Sequence, residues 1–375
     1  MNSKSIAIAW CLVGVTLATA SAQPKDAPVG KVRSTTVEVE LLTSPEGGIL
    51  HGQQWRAQFE QLGVSLKVKR AALNDKPQIS ERIVGTLRFV TAVGQVERSG
   101  RISFPGKAFT FSDGPKLKEW IDELKTYGAE GSPHGKPLWG LTEKQFKVLY
   151  GELSAVQKTS VAGKDLPDSV TALELPDHIP VRWSLAAQDH LERRVAGKQI
   201  AAIHDTTGFS KATVLAIALN DQNLGFRPNR TPEGTIELLI EPQSADRQDH
   251  WPVGWPLQQQ QSALLPNLFL MVNVSLEKLP ASEVLDEVAK ATETPVFVDR
   301  AEFERRDIDL TKLLLSHPLK KTTWSMALRS MLVPKRITRE YWQDEGGRGF
   351  VWITATGKPR ADAVKGVGGN PNDRE

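Results

Sequence analysis

A pattern of segments that occurs twice in the second half of the chain constrains the fold most strongly. Each copy has a Leu-Pro step into a helix, a proline before a short apolar strand, a second helix, and a polar turn into a final strand. The two strand-entry prolines are Pro180 and Pro295. Four segments repeated in one order indicate a duplication. We therefore expect two small units of βαβ or βαββ type, at residues 163–242 and 267–356.

The second helix of each copy supplies the alignment between them. Residues 210–226 correspond to residues 319–337, and the matched positions are Lys211 with Lys320, Thr213 with Thr322, Ala218 with Ala327, and Leu219 with Leu328. The first copy lacks a clear long helical pattern between Leu166 and Pro180, so we expect only a short helix there.

Residues 35–160 contain strand-like and helix-like patterns that are not part of the repeat. The strand-like segments are 36–42, 64–69, 86–96 and 100–111, and the helix-like segments are 53–62, 115–127 and 142–156. The turn at Arg98-Ser99-Gly100 is typical of a hairpin. We predict an N-terminal α+β domain with an antiparallel sheet, and the α+β class for the whole chain.

The first residues have the three parts of a secretory signal peptide. Lys4 supplies positive charge, residues 6–18 form an apolar run, and Ala20-Ser21-Ala22 gives a small-residue cleavage site. The run is shorter than the ~20 residues that span a bilayer, and an uncleaved membrane anchor is the alternative. We expect residues 1–22 to be removed and the chain to be exported, to the periplasm or out of the cell.

The cysteine content and the net charge exclude several kinds of site and partner. Cys11 is the single cysteine and lies within the predicted signal peptide, so the exported chain would contain no disulfide and no thiolate metal site. The formal net charge of +3 at pH 7 gives no reason to expect nucleic acid or an anionic membrane as a partner. No apolar run of ~18 residues follows the signal, so we expect no membrane span.

Three segments have the composition of linkers or disordered chain. They are the polar leader 23–34, the Pro/Trp/Gln-rich segment 243–266 between the two repeat units, and the Gly/Pro/charged tail 357–375.

Residues 272–356 resemble the STN domain, the short N-terminal domain of secretins and TonB-dependent outer-membrane receptors. The shared features are a strand at 272–276, a helix with Val284, Leu285 and Val288, a strand at 296–299, a second helix ending in Ala327-Leu328-x-x-x-Leu332, and a hairpin at 339–342 and 350–354. Residues 163–242 show a weaker form of this pattern. The resemblance implies a soluble periplasmic module that docks to other proteins. Because only the tail follows it, we expect neither a secretin nor a receptor.

No segment presents a convincing catalytic, cofactor-binding or metal-binding set. None of the seven histidines lies four residues from another. Ser210 and Lys211 resemble a nucleophile pair, but Ser210 falls where the next helix needs an N-cap. The carboxylates of residues 302–309 are mixed with arginines, which is typical of a solvated charged segment. We expect no cofactor and no metal.

Tryptophan is the least ordinary part of the composition, with ten in the chain. Trp251 and Trp255 lie in the proline-rich segment, and Trp342 lies on the closing hairpin. These three are the possible protein-binding residues, because exposed aromatic side chains favour docking. The alternative for Trp251 and Trp255 is that they pack the segment onto a neighbouring domain.

Together these features predict a non-enzymatic exported binding or scaffolding protein. It would dock to cell-envelope proteins, such as outer-membrane or secretion components, through helix faces and edge strands that accept an added strand. The alternative is a cell-envelope hydrolase or a glycan-binding protein with its site in residues 35–155. Two facing carboxylates about 5–10 Å apart in a deep pocket would favour the hydrolase. The sequence leaves the partner and the oligomeric state open.

Overall fold

The computed structural model describes residues 32–43, 48–195, 204–243 and 250–356. Within these ranges helices and strands combine in mixed sheets, which confirms the α+β class. The predicted signal peptide, the leader up to residue 31 and the predicted tail lie outside them. Among the described helices, none combines the length and the apolar content needed to cross a membrane.

The N-terminal domain is one sheet with helices packed against it. Its strands are β1 (Ser34–Thr43), β2 (Ser65–Arg70), β3 (Gln78–Val84), β4 (Leu87–Val96), β5 (Ile102–Phe104) and β6 (Lys107–Phe109), with helices α1 (Gly48–Gln61) and α2 (Gly114–Tyr127). The strand order is β2-β1-β4-β5-β6, and β3 also pairs with β4. Trp55 and Phe59 of α1 and Trp120 of α2 are buried against the sheet.

The antiparallel sheet predicted for this domain is wrong in its centre. Strand β1 pairs in parallel with both β2 and β4. Because α1 carries the chain from the end of β1 back to the start of β2, the two strands run in the same direction. The antiparallel pairs lie at the side, between β3 and β4 and in the hairpins through β5. Residues 32–34, assigned to the leader, are ordered, and Arg33 N–H donates to the Thr86 carbonyl at 2.8 Å.

The two repeat units follow. The first contains α4 (Leu166–Thr171), β7 (Val181–Trp183), α5 (Leu185–Val195), α6 (Lys211–Asn220), β8 (Leu224–Arg230) and β9 (Ile236–Pro242). Between the units lie β10 (Trp255–Pro256) and the short α7 (Gln261–Leu264). The second contains β11 (Met271–Pro280), α8 (Ala281–Thr292), β12 (Val296–Val298), α9 (Arg300–Arg305), β13 (Leu314–Thr323), α10 (Trp324–Leu332), β14 (Ile337–Gln343) and β15 (Gly349–Ala355).

The units share one topology down to individual hydrogen bonds. Strand β7 is parallel to β9, which is antiparallel to β8, and β12, β15 and β14 repeat this arrangement. The carbonyl of Pro180 accepts from Leu238 N–H at 2.9 Å, and the carbonyl of Pro295 accepts from Val351 N–H at the same distance, 2.9 Å. The repeated sequence pattern therefore corresponds to a repeated structure.

The helix alignment from the sequence is displaced by one helical turn. Ser210 caps α6 and Thr323 caps α10, which places Ala218 opposite Met331 and not opposite Ala327. A shift of four residues nearly preserves the apolar face of a helix with 3.6 residues per turn, so the pattern alone did not reveal it.

The first unit also begins before residue 163. An isolated bridge between Val156 and Ser210 occupies the place that the long β11–β13 pair occupies in the second unit. Helix α3 (Glu143–Leu153), assigned to the N-terminal domain, contributes Leu149 and Leu153 to the core of the first unit.

The two units pack with α6 between their sheets. Residues 212–220 of α6 are all buried. Phe350 and Trp352 of β15 face the first unit, whereas Val351 and Ile353 face the core of the second. The sheet of the second unit is therefore covered on both faces.

Candidate functional site

The strands β11 and β13 form a two-stranded antiparallel ribbon on the second unit. Its inner face packs against the helices of that unit through buried Val274 and Leu315. Among the described residues, no third strand pairs with either strand of the ribbon. Its outer edges therefore present backbone donors and acceptors that an added strand can use.

Large apolar side chains are exposed on and beside this ribbon. Met271 is 58% exposed and Leu319 is 77% exposed. Leu270 precedes the ribbon at 58% exposure, and Met326 in the first turn of α10 is 52% exposed. Single exposed apolar residues are ordinary on protein surfaces, but several on one open-edged element favour an interaction surface.

The regular part of the ribbon is the end nearest α10. Residues 271–274 pair with 320–323 in uninterrupted register. Register shifts follow between Val274 and Leu276 and between Leu276 and Leu279, and Lys278 has a positive φ of 47°. Bulges twist an edge away from partners, so a docking strand is best accommodated at the regular end.

Open edges in the N-terminal sheet are less suited to docking. The lysines of β2 are engaged with glutamates of β1, with Lys67 Nζ 2.9 Å from Glu38 Oε2 and Lys69 Nζ 3.4 Å from Glu40 Oε2. No large apolar side chain of β2 is exposed, and β3 has one, Val84.

The three tryptophans singled out as possible protein-binding residues lie at the junction of the two units. Trp251 is only 3% exposed. Its ring stacks on Trp139 and Phe226, with centroids 5.6 Å and 5.7 Å away. Trp251 is therefore not available as an exposed docking residue. Its packing fits the alternative, in which it packs the connecting segment onto a neighbouring domain. Trp255 and Trp342 are half-buried, so a binding role for them stays a prediction.

Glu345, at the tip of the β14–β15 hairpin, joins these tryptophans to the first unit. Its Oε1 accepts from Trp251 Nε1 at 2.6 Å and from Trp255 Nε1 at 2.8 Å. Its Oε2 accepts from Thr213 Oγ1 at 2.9 Å and from the hydroxyl of Ser210. A polar Asp-Glu-Gly-Gly turn in a sequence predicts a solvent-exposed side chain. In the structure the Glu345 side chain is buried.

The neighbouring residues of this hairpin tip reinforce the junction. Asp344 Oδ2 accepts from Ser210 N–H at 2.8 Å. This contact lies at the N-terminus of α6, where the helix dipole favours negative charge. Arg348 Nη1 donates to the Thr207 carbonyl at 2.8 Å, and its guanidinium lies 4.2 Å from the Phe209 ring centroid. These contacts of the hairpin tip hold the two units together.

The other chemical candidates have structural roles. Lys211 Nζ donates to the Glu174 carbonyl at 2.6 Å, whereas the Ser210 hydroxyl caps α6 and binds Glu345. In the charged segment, Glu302 pairs with Arg305 at 2.7 Å. Within the described ranges, no group of three or more His, Asp or Glu side chains is arranged to hold a metal ion.

One cavity on the N-terminal sheet is lined by two carboxylates, and these two do not face each other as the pair of a hydrolase would. A cavity of about 160 Å³ is lined by Glu38 and Glu81 together with Phe89. Glu38 alternates with buried Val37 and Val39, whereas Glu81 lies on the same side of its strand as the core-facing Ile79. The two carboxylates therefore point to opposite faces of the sheet. Glu38 pairs with Lys67, and Glu81 accepts from Ala129 N–H at 2.9 Å.

Comparison with protein families, with curated proteins and with solved structures finds no match to this chain.

Proposed function

We propose that this chain is a non-enzymatic exported binding or scaffolding protein of the cell envelope. It docks to other envelope proteins, such as outer-membrane or secretion components, through the second repeat unit. The β11–β13 ribbon carries this proposal, because it combines open strand edges with exposed Met271 and Leu319.

The proposed mode of docking is strand addition at the regular end of the ribbon. An extended segment of the partner would pair with the backbone there, and its apolar side chains would cover Met271 and Met326. Where the segment continues past Lys320 it would also cover Leu319, which lies in the first register shift next to the regular end. Main-chain hydrogen bonds supply affinity in this mode and side-chain contacts supply specificity. The resemblance of residues 272–356 to the STN domain, a docking module, points to the same unit.

The test is quantitative affinity purification from the native host after crosslinking. Met271→Glu and Leu319→Glu place charge on the proposed surface and should abolish enrichment of the partner. Leu73→Glu is the matched control, since Leu73 is fully exposed, at 102%, in a loop of the N-terminal domain. Partner recovery that is equal in all three variants would exclude the ribbon as the docking surface.

A further inference from the structure

A cavity lies between the two repeat units, on the face of the second sheet that covers α6. Glu340 and Trp342 alternate on β14, and Glu340 is directly opposite Trp352 on β15. All three side chains therefore share one face of the sheet. Ala216 and Asn220 are four residues apart on α6, on one face of the helix, and lie on the other side of the cavity.

The chain between the units closes a third side of the cavity. The cavity measures about 230 Å³, and this connecting segment contributes Trp251 and Gly254 to its walls. Protein interiors contain few voids larger than a water molecule, and ligand cavities occur preferentially where domains meet. A space of this size beside three indole rings therefore indicates a binding site.

The polar side chains around this cavity are those of Asn220, Gln243, His250 and Glu340, and the carboxylate of Glu340 brings negative charge to it. Trp342 Nε1 donates to Glu340 Oε2 at 3.1 Å, which occupies the indole N–H and holds the carboxylate beside the rings. Gln243 Nε2 donates to Asn220 Oδ1 at 2.9 Å and to the Leu224 carbonyl at 3.0 Å. This orientation leaves Gln243 Oε1 without a donor among the described residues.

The charge of the lining selects the class of ligand. Among the residues that the structure describes, no lysine or arginine lines the cavity, and Glu340 is the single carboxylate of the lining. Indole faces attract cations through their quadrupole, most strongly where water is excluded. From the Trp342 and Trp352 indole rings, the carboxylate and the open acceptor we infer that this cavity binds a small organic cation of the substituted-ammonium type.

Choline and 3,3-dimethylbutan-1-ol are suitable probes, because they have nearly the same shape and only choline is charged. Titration of the purified chain, followed by calorimetry and tryptophan fluorescence, should show saturable binding of choline. Choline should bind about tenfold more tightly than its neutral isostere, which is the range of a desolvated cation–π contact.

Two variants test the assignment of the site. Glu340→Gln should weaken choline binding about tenfold and leave the weak binding of the neutral probe unchanged. Ala216→Phe fills the cavity and should abolish binding of both probes. The control is Glu287→Gln, at an exposed position of α8, and thermal unfolding verifies that each variant is folded.

Three results would overturn the inference. Equal affinity for the two probes would show an apolar site without cation selectivity. Binding of N-acetylglucosamine in place of choline would show a neutral sugar site. Absence of saturable choline binding to the unmodified chain would show a packing void that holds no organic cation. None of these depends on the ribbon, so the proposed docking function is tested separately.

Discussion

At the scale of single residues, Glu345 is the most informative side chain of the molecule. It is buried and accepts hydrogen bonds from four donors in two segments, Ser210 and Thr213 at the start of α6 and Trp251 and Trp255 in the segment between the units. Hydrogen bonds to a charged acceptor are stronger than neutral ones, and unpaired buried donors are costly. This carboxylate therefore contributes strongly to the junction of the two units.

Replacement of this carboxylate should be strongly destabilising. Glu345→Ala leaves two hydroxyls and two indole N–H groups without their acceptor, and we expect a loss on the order of 3 kcal/mol in the free energy of unfolding. Denaturant unfolding measures the loss. Glu192→Ala, at an exposed position of α5, should change stability by less than about 0.5 kcal/mol. Equal effects of the two substitutions would refute the role assigned to Glu345.

Two buried titratable groups predict an unusual pH dependence. Burial raises the pKa of Asp221 to about 7, with Asp299 adding to the rise and Arg300 opposing it. Burial, and then the charge of Arg300, lowers the pKa of His204 to about 4. Asp221 thus stabilises the fold at low pH and loses this contribution as the pH rises from 3.8 through 7. His204 contributes stability above 6.5 and loses it as the pH falls through 4.

Between about pH 4 and 6.5 the effects of Asp221 and His204 on stability have opposite signs. Substitution of one of these residues at a time should therefore reveal the effect of the other. In Asp221→Asn the melting temperature should rise with pH across that range, because His204 is the one of the two opposed groups that remains. In His204→Gln it should fall from pH 4 towards 7. Asp168→Asn, at an exposed position, should keep the profile of the unmodified chain. A single profile shared by all the variants would contradict the assignment.

At the scale of elements, close packing between the units requires glycine at several positions, because an added Cβ would clash there. A Cβ added to Gly254 would lie 2.6 Å from Phe350 Cζ and 2.7 Å from Trp342 Cβ. The second contact is to the root of a side chain, which can move only with its strand. The connecting segment therefore needs glycine where it crosses the sheet of the second unit.

This constraint predicts opposite effects of one substitution at two glycines. Gly254→Ala should destabilise the chain by about 2 kcal/mol, because overpacking forces the sheet or the segment to shift. Gly151→Ala should instead stabilise it by about 0.5–1 kcal/mol, because Gly151 lies within helix α3 and has nothing within 4 Å of an added Cβ. Thermal unfolding gives the sign of each change. Stabilisation by Gly254→Ala would show that the contact is not as tight as described.

Local signals in the sequence predict elements well and their pairing poorly. The predicted helix 115–127 is α2 (Gly114–Tyr127), with Gly128 as its C-cap, and the predicted N-cap Ser210 accepts the expected hydrogen bond from Thr213 N–H. Alternation in β1 predicts a strand with one buried face, but alternation is the same for a parallel and an antiparallel partner. The parallel pairing follows from the helix α1 between β1 and β2. The sequence predicts this helix, but it does not show that the helix returns the chain to pair with β1.

At the scale of the whole molecule, each hairpin tip of a repeat unit contacts the part of the chain that precedes it. Arg230, at the end of β8, donates to the Tyr127 carbonyl at 3.1 Å and pairs with Glu130 at 2.9 Å, both in the N-terminal domain. Glu345 makes the equivalent connection from the second unit to the first. The β11–β13 ribbon of the last unit combines open strand edges with exposed apolar side chains at Met271 and Leu319.

The sequence predicts the duplication and the docking unit, but not this mode of assembly. The partners of Arg230 and Glu345 are far away along the chain, and both residues lie at polar turns that resemble solvated loops. The buried Trp251 shows the same limit, because a proline-rich segment gives no local reason for burial. Long-range packing therefore decided the positions that pattern and composition left open.

Site-specific photo-crosslinking tests the docking proposal most directly. A photoreactive amino acid is placed at Leu319 on the ribbon and, in a second strain, at Leu73 in the N-terminal loop, and the full chain is irradiated in its native host. We predict one dominant envelope protein crosslinked from Leu319, competed by excess unmodified chain, and no such product from Leu73. A folded, exported chain that gives no product at Leu319, or the same products at both positions, would contradict the proposal that the ribbon is the docking surface.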